Sequence, residues 1–335
     1  MSANKNILKF ESAGSKEILQ KYGIVFVLIL MIIGISILEP AFLSSYNVFN
    51  VLTQSAIFGI MALGMTFVII SKGIDLSVGS VLALAGVVLA SLAQTADATG
   101  KYFPNLAEMP VFFPILAALA VGALMGGFTG LLIAKTHIPA FISSLGMMTV
   151  ARGFALIYSD GKPISTLVPS LTRLGGKLFG FLPIPVIIYF IMIVISAVLL
   201  NKTRFGKSAY AVGGNIKAAE VSGVNVNQTL IAIYAYCGLL AGLAAVVFAG
   251  RVGSVHPGAA TGYELTAIAA TTIGGTSHSG GIGTIWGAFV GALILAVLRN
   301  GLTLLGVDAY WQQVTEGVII VVAVIIDMRK NATKD

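Results

Sequence analysis

The stretch Phe205-Gly206-Lys207-Ser208 carries the Gly-Lys-Ser ending of a phosphate-binding loop, the chemistry that would let a chain grip a nucleotide. Such a loop needs a glycine at position 201 and a soluble strand before it, so that successive backbone amides can cradle the phosphates. Asn201 stands there instead, behind an apolar run, and the motif is incomplete. Metal chemistry is no better supplied. His137, His256 and His278 are scattered over three loops, no His-Glu-x-x-His spacing occurs, and the single cysteine, Cys237, lies inside an apolar run. No nucleophile, base and metal set stands at usable spacing, so the chain is expected not to be an enzyme and to hold neither cofactor nor metal of its own.

Carboxylates are equally sparse where ion coupling would need them. Asp75 follows Gly73 and serves as the cap of a helix expected to begin near Leu76, with Gly73 and Gly79 easing the turn. Glu264 opens another apolar segment, where a helix N-terminus favours a negative charge. Arg152 and Glu316 fall within about two turns of the expected outer ends of their helices, where both can snorkel or pair. The other polar groups in the apolar runs are neutral: Gln54, Ser55, Ser143, Ser144, Thr149, Thr271 and Thr272. Hydroxyls and amides suit an uncharged polar solute, which needs hydrogen bonds but no countercharge. Ser143, Ser144, Thr149, Thr271 and Thr272 are therefore the candidate lining of a translocation path. The competing class, an ion-coupled secondary transporter of a small neutral solute, would require Asp75 or Glu264 to titrate.

The chain that must position these groups is 57% hydrophobic and 10% charged, with a mean hydropathy of +0.96. A soluble domain covers itself with about 25% charged residues, so the fold class is all-α, a polytopic integral membrane protein forming one transmembrane domain over 1–335. Ten apolar segments can be marked, at 22–39, 51–71, 76–94, 111–134, 138–158, 183–200, 227–250, 264–276, 282–298 and 312–327. If all ten cross, both termini are cytoplasmic and so is the 201–226 loop, with 1–21 as the N-terminal segment and 328–335 as the tail. Lysines and arginines favour that orientation by about two to one. The net charge of +7 thus reads as a topology signal, and nucleic acid drops out as a partner. The first run is too long for a signal-peptide core and has no small-residue cleavage site, so it is read as a retained helix. The pair at 264–276 and 282–298 is short for two full crossings, which marks one or both as candidates for broken or re-entrant helices. Glycines recur at every fourth position at Gly122, Gly126 and Gly130, at Gly238 and Gly242, and at Gly283, Gly287 and Gly291, the spacing that lets helix backbones approach closely in lipid.

Between the apolar blocks, Asn201–Asn225 has a pattern of its own. Gly213 and Gly214 allow a turn, Asn215 can cap a helix start, and Ile216 to Val221 forms a short helix closed by Ser222, Gly223 and Asn225. A compact helix at the membrane surface is something a soluble partner can grip; the alternative is a basic loop whose charges only fix topology. A pore with neither an ion site nor a nucleotide site needs an external motor, and this loop is where one would dock.

Four segments together resemble the permease subunits of bacterial ABC importers for monosaccharides of the ribose, galactose and xylose type. They are GIDLSVGS at Gly73–Ser80, IPAFISSLGMM at Ile138–Met148 followed by Arg152-Gly153, AVGGNIKAAEVSGVNV at Ala211–Val226, and GYELTAIAATTIGGTSHSGGIGT at Gly262–Thr284. The resemblance runs from about residue 22 to 327. It implies a multi-pass permease of the bacterial inner membrane that forms a homodimer or a heterodimer and binds an ABC ATPase subunit, where ATP is used. It also implies sugar delivery by an extracytoplasmic binding protein and transport by alternating access. The ATPase-coupling loop of that family falls here on Gly213, Gly214, Asn215, Ala218, Ala219, Ser222, Gly223 and Asn225. YFPNLAEMP at Tyr102–Pro110, NKTRFGK at Asn201–Lys207 and AYWQ at Ala309–Gln312 resemble the galactose or glucose branch, while GYELTAIAATTIGGTS is equally similar to ribose permeases.

Overall fold

The computed structural model describes residues 23–332, and helices account for most of them. In chain order they are α1 (Gly23–Leu38), α2 (Ser45–Ile70), α3 (Val78–Leu92), α4 (Phe112–Thr136), α5 (Ala140–Ser159), the single turn α6 (Pro169–Thr172), α7 (Ile184–Lys202), α8 (Arg204–Gly214), α9 (Ile216–Val221), α10 (Val226–Val252), α11 (Tyr263–Ile273), α12 (Ile285–Leu304) and α13 (Ala309–Ala332). Two-residue strands β1 (Ile164–Ser165) and β4 (Ser254–Val255) pair antiparallel, as do β2 (Lys177–Leu178) and β3 (Leu182–Pro183).

Each of the ten apolar segments is helical, but they differ in reach. Among the described residues α2, α4, α5, α7, α10, α12 and α13 are long and apolar enough to cross a membrane. At about 1.5 Å of rise per residue, α3 and α11 span only about 23 and 17 Å of a hydrocarbon layer about 30 Å thick. The shortness expected of 264–276 is thus real, whereas α12, over the second segment of that pair, is long enough to cross. The 274–284 loop between them keeps its backbone satisfied from within the protein: the Thr276 amide donates to Thr271 O, Ser277 to Ile282 O, and Gly281 to Ile70 O. Buried irregular backbone is stable only under that condition.

Helix α2 is apolar on all sides because it runs through the centre of the bundle, packed by α7, α10, α11 and α12. Helices α4, α5 and α7 instead turn large apolar residues outward, Leu124, Phe128, Phe154, Ile157 and Phe190 among them, which suits a lipid-facing sheath. The closest helix pair is α4 with α10. A β-carbon on Gly122 or Gly126 would overlap the carbonyls of Gly238 and Tyr234, and one on Gly242 would lie 2.5 Å from Ala118 O. On α12, Gly287 and Gly291 admit the Gly274 and Ala270 carbonyls of the α11 segment in the same way. Both glycine stripes are therefore used within the chain.

The two ends of the bundle differ. At one end α7 leads into α8 and α9, and these meet the end of α2 and the 274–284 loop. At the other end lie β1 to β4, the turn at Gly175 that abuts Gly250, and Arg251 donating to Asn50 Oδ1 at 3.0 Å.

Candidate functional site

The Asn201–Asn225 segment is more ordered than a loop: it is two helices joined by one extended residue, Asn215 (φ −155°, ψ 111°). Thr203 Oγ1 accepts the Gly206 amide and starts α8. Gly206 sits where the chain bends out of α7, and a β-carbon there would overlap the Leu200 carbonyl, so this glycine serves a helix corner. Gly213 and Gly214 do not make the expected turn; they form the last turn of α8. Asn215 then caps α9, its Oδ1 accepting the Ala218 amide at 3.1 Å. Gly223 closes α9 in the left-handed region (φ 83°), which lets the Val224 amide return to Ala219 O at 3.0 Å. Asn225 Oδ1 accepts the Gln228 amide at 3.0 Å and opens α10.

Of the eight residues of the loop motif, Gly214, Asn215, Ala218, Ser222, Gly223 and Asn225 are exposed. Gly213 is buried, and Ala219 packs with Val212 and Val226. Helix α9 also presents Ile216 and Val221, the latter 91% exposed, beside Lys217 and Glu220. A cleft of about 540 Å³ runs between α8 and the start of α10, lined by Arg204, Lys207, Ser208, Asn225 and Gln228 among others.

Behind this surface, three stretches far apart in sequence converge. Gly213 lies against the Ile70 carbonyl so closely that a β-carbon would overlap it and stand 2.8 Å from the Gly281 amide nitrogen. That amide donates to Ile70 O at 2.8 Å. One turn earlier on α8, Tyr210 Oη donates to Gly283 O at 2.7 Å, and Lys72 Nζ donates to Gly214 O at 3.4 Å. Burial pushes the Tyr210 hydroxyl above its ordinary pKa, which keeps the donated proton in place. Tyr210 and Lys72 were not singled out by their spacing; a tyrosine on the inward side of an otherwise basic helix is the one signal that could have found the first.

The candidate path residues fall on two helices. Ser143 donates to Thr129 O and Ser144 to Phe141 O on the buried side of α5, and Thr271 and Thr272 both donate to Ile268 O within α11. Thr272 also shares a 2.8 Å bond with His278 Nε2. The two groups stand on different helices, α5 and α11, each of which packs against α3. Thr149, which donates to Leu145 O, is exposed.

The ionisable residues sit differently from expectation. Helix α3 begins at Val78 with Ser77 as its flanking residue, so Asp75 lies two residues outside the cap position: its Oδ1 accepts the Ser77 amide at 2.8 Å and hydroxyl at 2.6 Å, and its buried Oδ2 has no partner among the described residues. Gly79 has no room for a side chain because Glu264 and the Ala260 carbonyl lie against it. Arg152 Nη1 donates to Pro257 O at 2.6 Å and Ala259 O at 2.9 Å. Glu316 pairs with Arg299 and accepts the Thr266 hydroxyl at 2.7 Å, while Arg299 stands 4.7 Å over the Phe58 ring.

A bundle of long apolar helices with the short α11 packed among them, neutral hydroxyls within it and a capped helix pair held out at one end is a multi-pass membrane permease. The chain belongs to the family described as the permease component of branched-chain amino acid transport systems, whose model matches residues 47–324. It is similar to the ribose import permease RbsC of Escherichia coli strain K12, 43% identical over 91% of this chain and 92% of the relative. The ribose import permease of Bacillus subtilis strain 168 is 44% identical, over 94% and 95% of the two chains. The galactose/methyl galactoside import permease MglC of Escherichia coli strain K12 is 41% identical, over 94% and 96%. No solved structure gives a significant match.

Proposed function

We propose that this chain is the membrane subunit of an ATP-driven importer for a monosaccharide. A second permease copy completes the path, a cytoplasmic ATPase docks on α9, and an extracytoplasmic binding protein delivers sugar to the opposite end. The observation that carries this reading is α9 itself, a helix capped at its start by the Asn215 side chain and closed at its end by the left-handed backbone of Gly223, with Ile216 and Val221 exposed on its surface. The names of the relatives, ribose on one side and galactose on the other, support a monosaccharide and do not choose between them. Lys72, Lys135, Lys202, Arg204, Lys207 and Lys217 lie at the α9 end, which supports a cytoplasmic assignment for that end and for both termini in a bacterial inner membrane. Thr149, the exposed member of the candidate path residues, is the one a passing sugar or a second copy can reach.

Extraction in mild detergent followed by mass spectrometry tests the reading. The wild-type chain is expected to bring down an ATPase, and Gly214→Asp with Ala218→Asp is expected to lose it while inserting normally. Both positions are exposed, and an aspartate at 218 lies in the first turn of α9, where a negative charge favours the helix. Uptake that persists without ATP and follows a proton or sodium gradient would overturn the proposal.

A further inference from the structure

Residues 70, 210–214 and 280–283 meet at one point, where backbone groups press together and side chains bond to carbonyls. The α2 terminal carbonyl of Ile70 receives the Gly281 amide at 2.8 Å, Gly213 of α8 presses on that same carbonyl, and Tyr210 of α8 is bonded to the Gly283 carbonyl at 2.7 Å. Helix α8 runs through one residue into α9. A displacement of α9 therefore reaches the α2–α3 connection and the α11–α12 connection together, through contacts too tight to slip. Helix α12 begins two residues after Gly283 and so next to the joint, whereas the first turn of α3 lies farther along, where Gly79 meets Glu264 and the Ala260 carbonyl at the opening of α11.

Resting on the importer reading, we infer that Gly213 and Tyr210 are positioning residues for transport: they link α9 to the two inner connections, and their alteration uncouples ATP hydrolysis from sugar movement while the ATPase remains docked. Gly34 on α1 supplies the control. Its β-carbon would meet no atom within 4 Å, so Gly34→Ala and Gly213→Ala make the same change of residue type with opposite steric consequences, and Gly34 lies outside the α8–α9 surface.

The test uses the full complex in proteoliposomes, comparing wild type, Gly213→Ala, Gly34→Ala and Tyr210→Phe. Three quantities are read: ATPase co-purified per permease, ATP hydrolysed in the presence of the binding protein, and sugar taken up. The ratio of sugar moved to ATP hydrolysed is expected to fall about fivefold to tenfold in Tyr210→Phe and Gly213→Ala, the scale on which residues along a coupling path act. Co-purified ATPase should be unchanged, and Gly34→Ala should match wild type. Loss of folded protein lowers both rates and leaves the ratio where it was, and Tyr210→Phe removes a single oxygen, so misfolding of the glycine variant does not decide the matter. An unchanged ratio in Tyr210→Phe overturns the joint alone. Equal loss of docking and uptake makes the contact a scaffold for α9. A wild-type chain with no ATPase and no ATP-dependent uptake removes the importer reading and this inference with it.

Discussion

Arg299 and Glu316 show how the few charges of this chain are kept. Glu316 is 8% exposed, and it is stabilised by a guanidinium that also touches the Thr266 hydroxyl and the Phe58 ring. Removing one partner of such a pair leaves the other charge buried and uncompensated, at a cost of about 3–5 kcal/mol. Glu316→Ala is expected to lower the thermal unfolding midpoint in detergent sharply, and Arg299→Met combined with Glu316→Leu to recover most of it; equal loss in single and double variants would refute the pairing. That Glu316 needs a partner near the end of its helix was legible from its depth in an apolar run. The identity of the partner was not, because Arg299 is 17 positions away on another helix and reads by itself as a loop charge. The carbonyl partners of Arg152 were invisible for a stronger reason: backbone acceptors carry no residue signature.

At the scale of elements, the four-residue glycine period announced close helix contact, and the contact is there between α4 and α10. The period alone does not name the opposing helix, since any backbone can fill the groove. Gly238→Leu is expected to destabilise the chain by about 1–3 kcal/mol through overpacking, whereas Gly146→Leu on α5, whose β-carbon meets nothing within 4 Å, should leave stability unchanged. Unfolding midpoints of the two purified variants separate these outcomes. Helix α9 was readable because its caps are residue types with local signatures, the Asn215 side chain at one end and the left-handed Gly223 backbone at the other. Helix α8 was not, because Gly206, Gly213 and Gly214 look like breakers until Leu200 and Ile70 are seen pressing on two of them. In the same way Asp75 sits at the entry to α3 as expected, but the helix starts later because Ser77 takes both of its bonds.

The whole molecule can be oriented with the one thiol it already has. Cys237 is fully buried between α2 and α4, so it is not expected to react, and single cysteines placed elsewhere report alone. With an impermeant maleimide, Phe179→Cys, at an exposed turn between β2 and β3, should label in intact cells, and Ser222→Cys only after permeabilisation; the reverse pattern would invert the proposed orientation. The short helices carry one more consequence. Because α3 and α11 are largely enclosed by α2, α4, α5, α10, α12 and α13, the acyl chains around the protein contact mainly the outer helices, α1, α4, α5, α7 and α13 among them. A thicker bilayer is then met by tilting of that outer ring, at fractions of a kcal/mol per Å of mismatch. The two short helices inside never have to match the lipid at all. Transport reconstituted in phosphatidylcholines of increasing acyl length should accordingly drift rather than collapse, with the inner helices behaving as cargo of the ring that carries them.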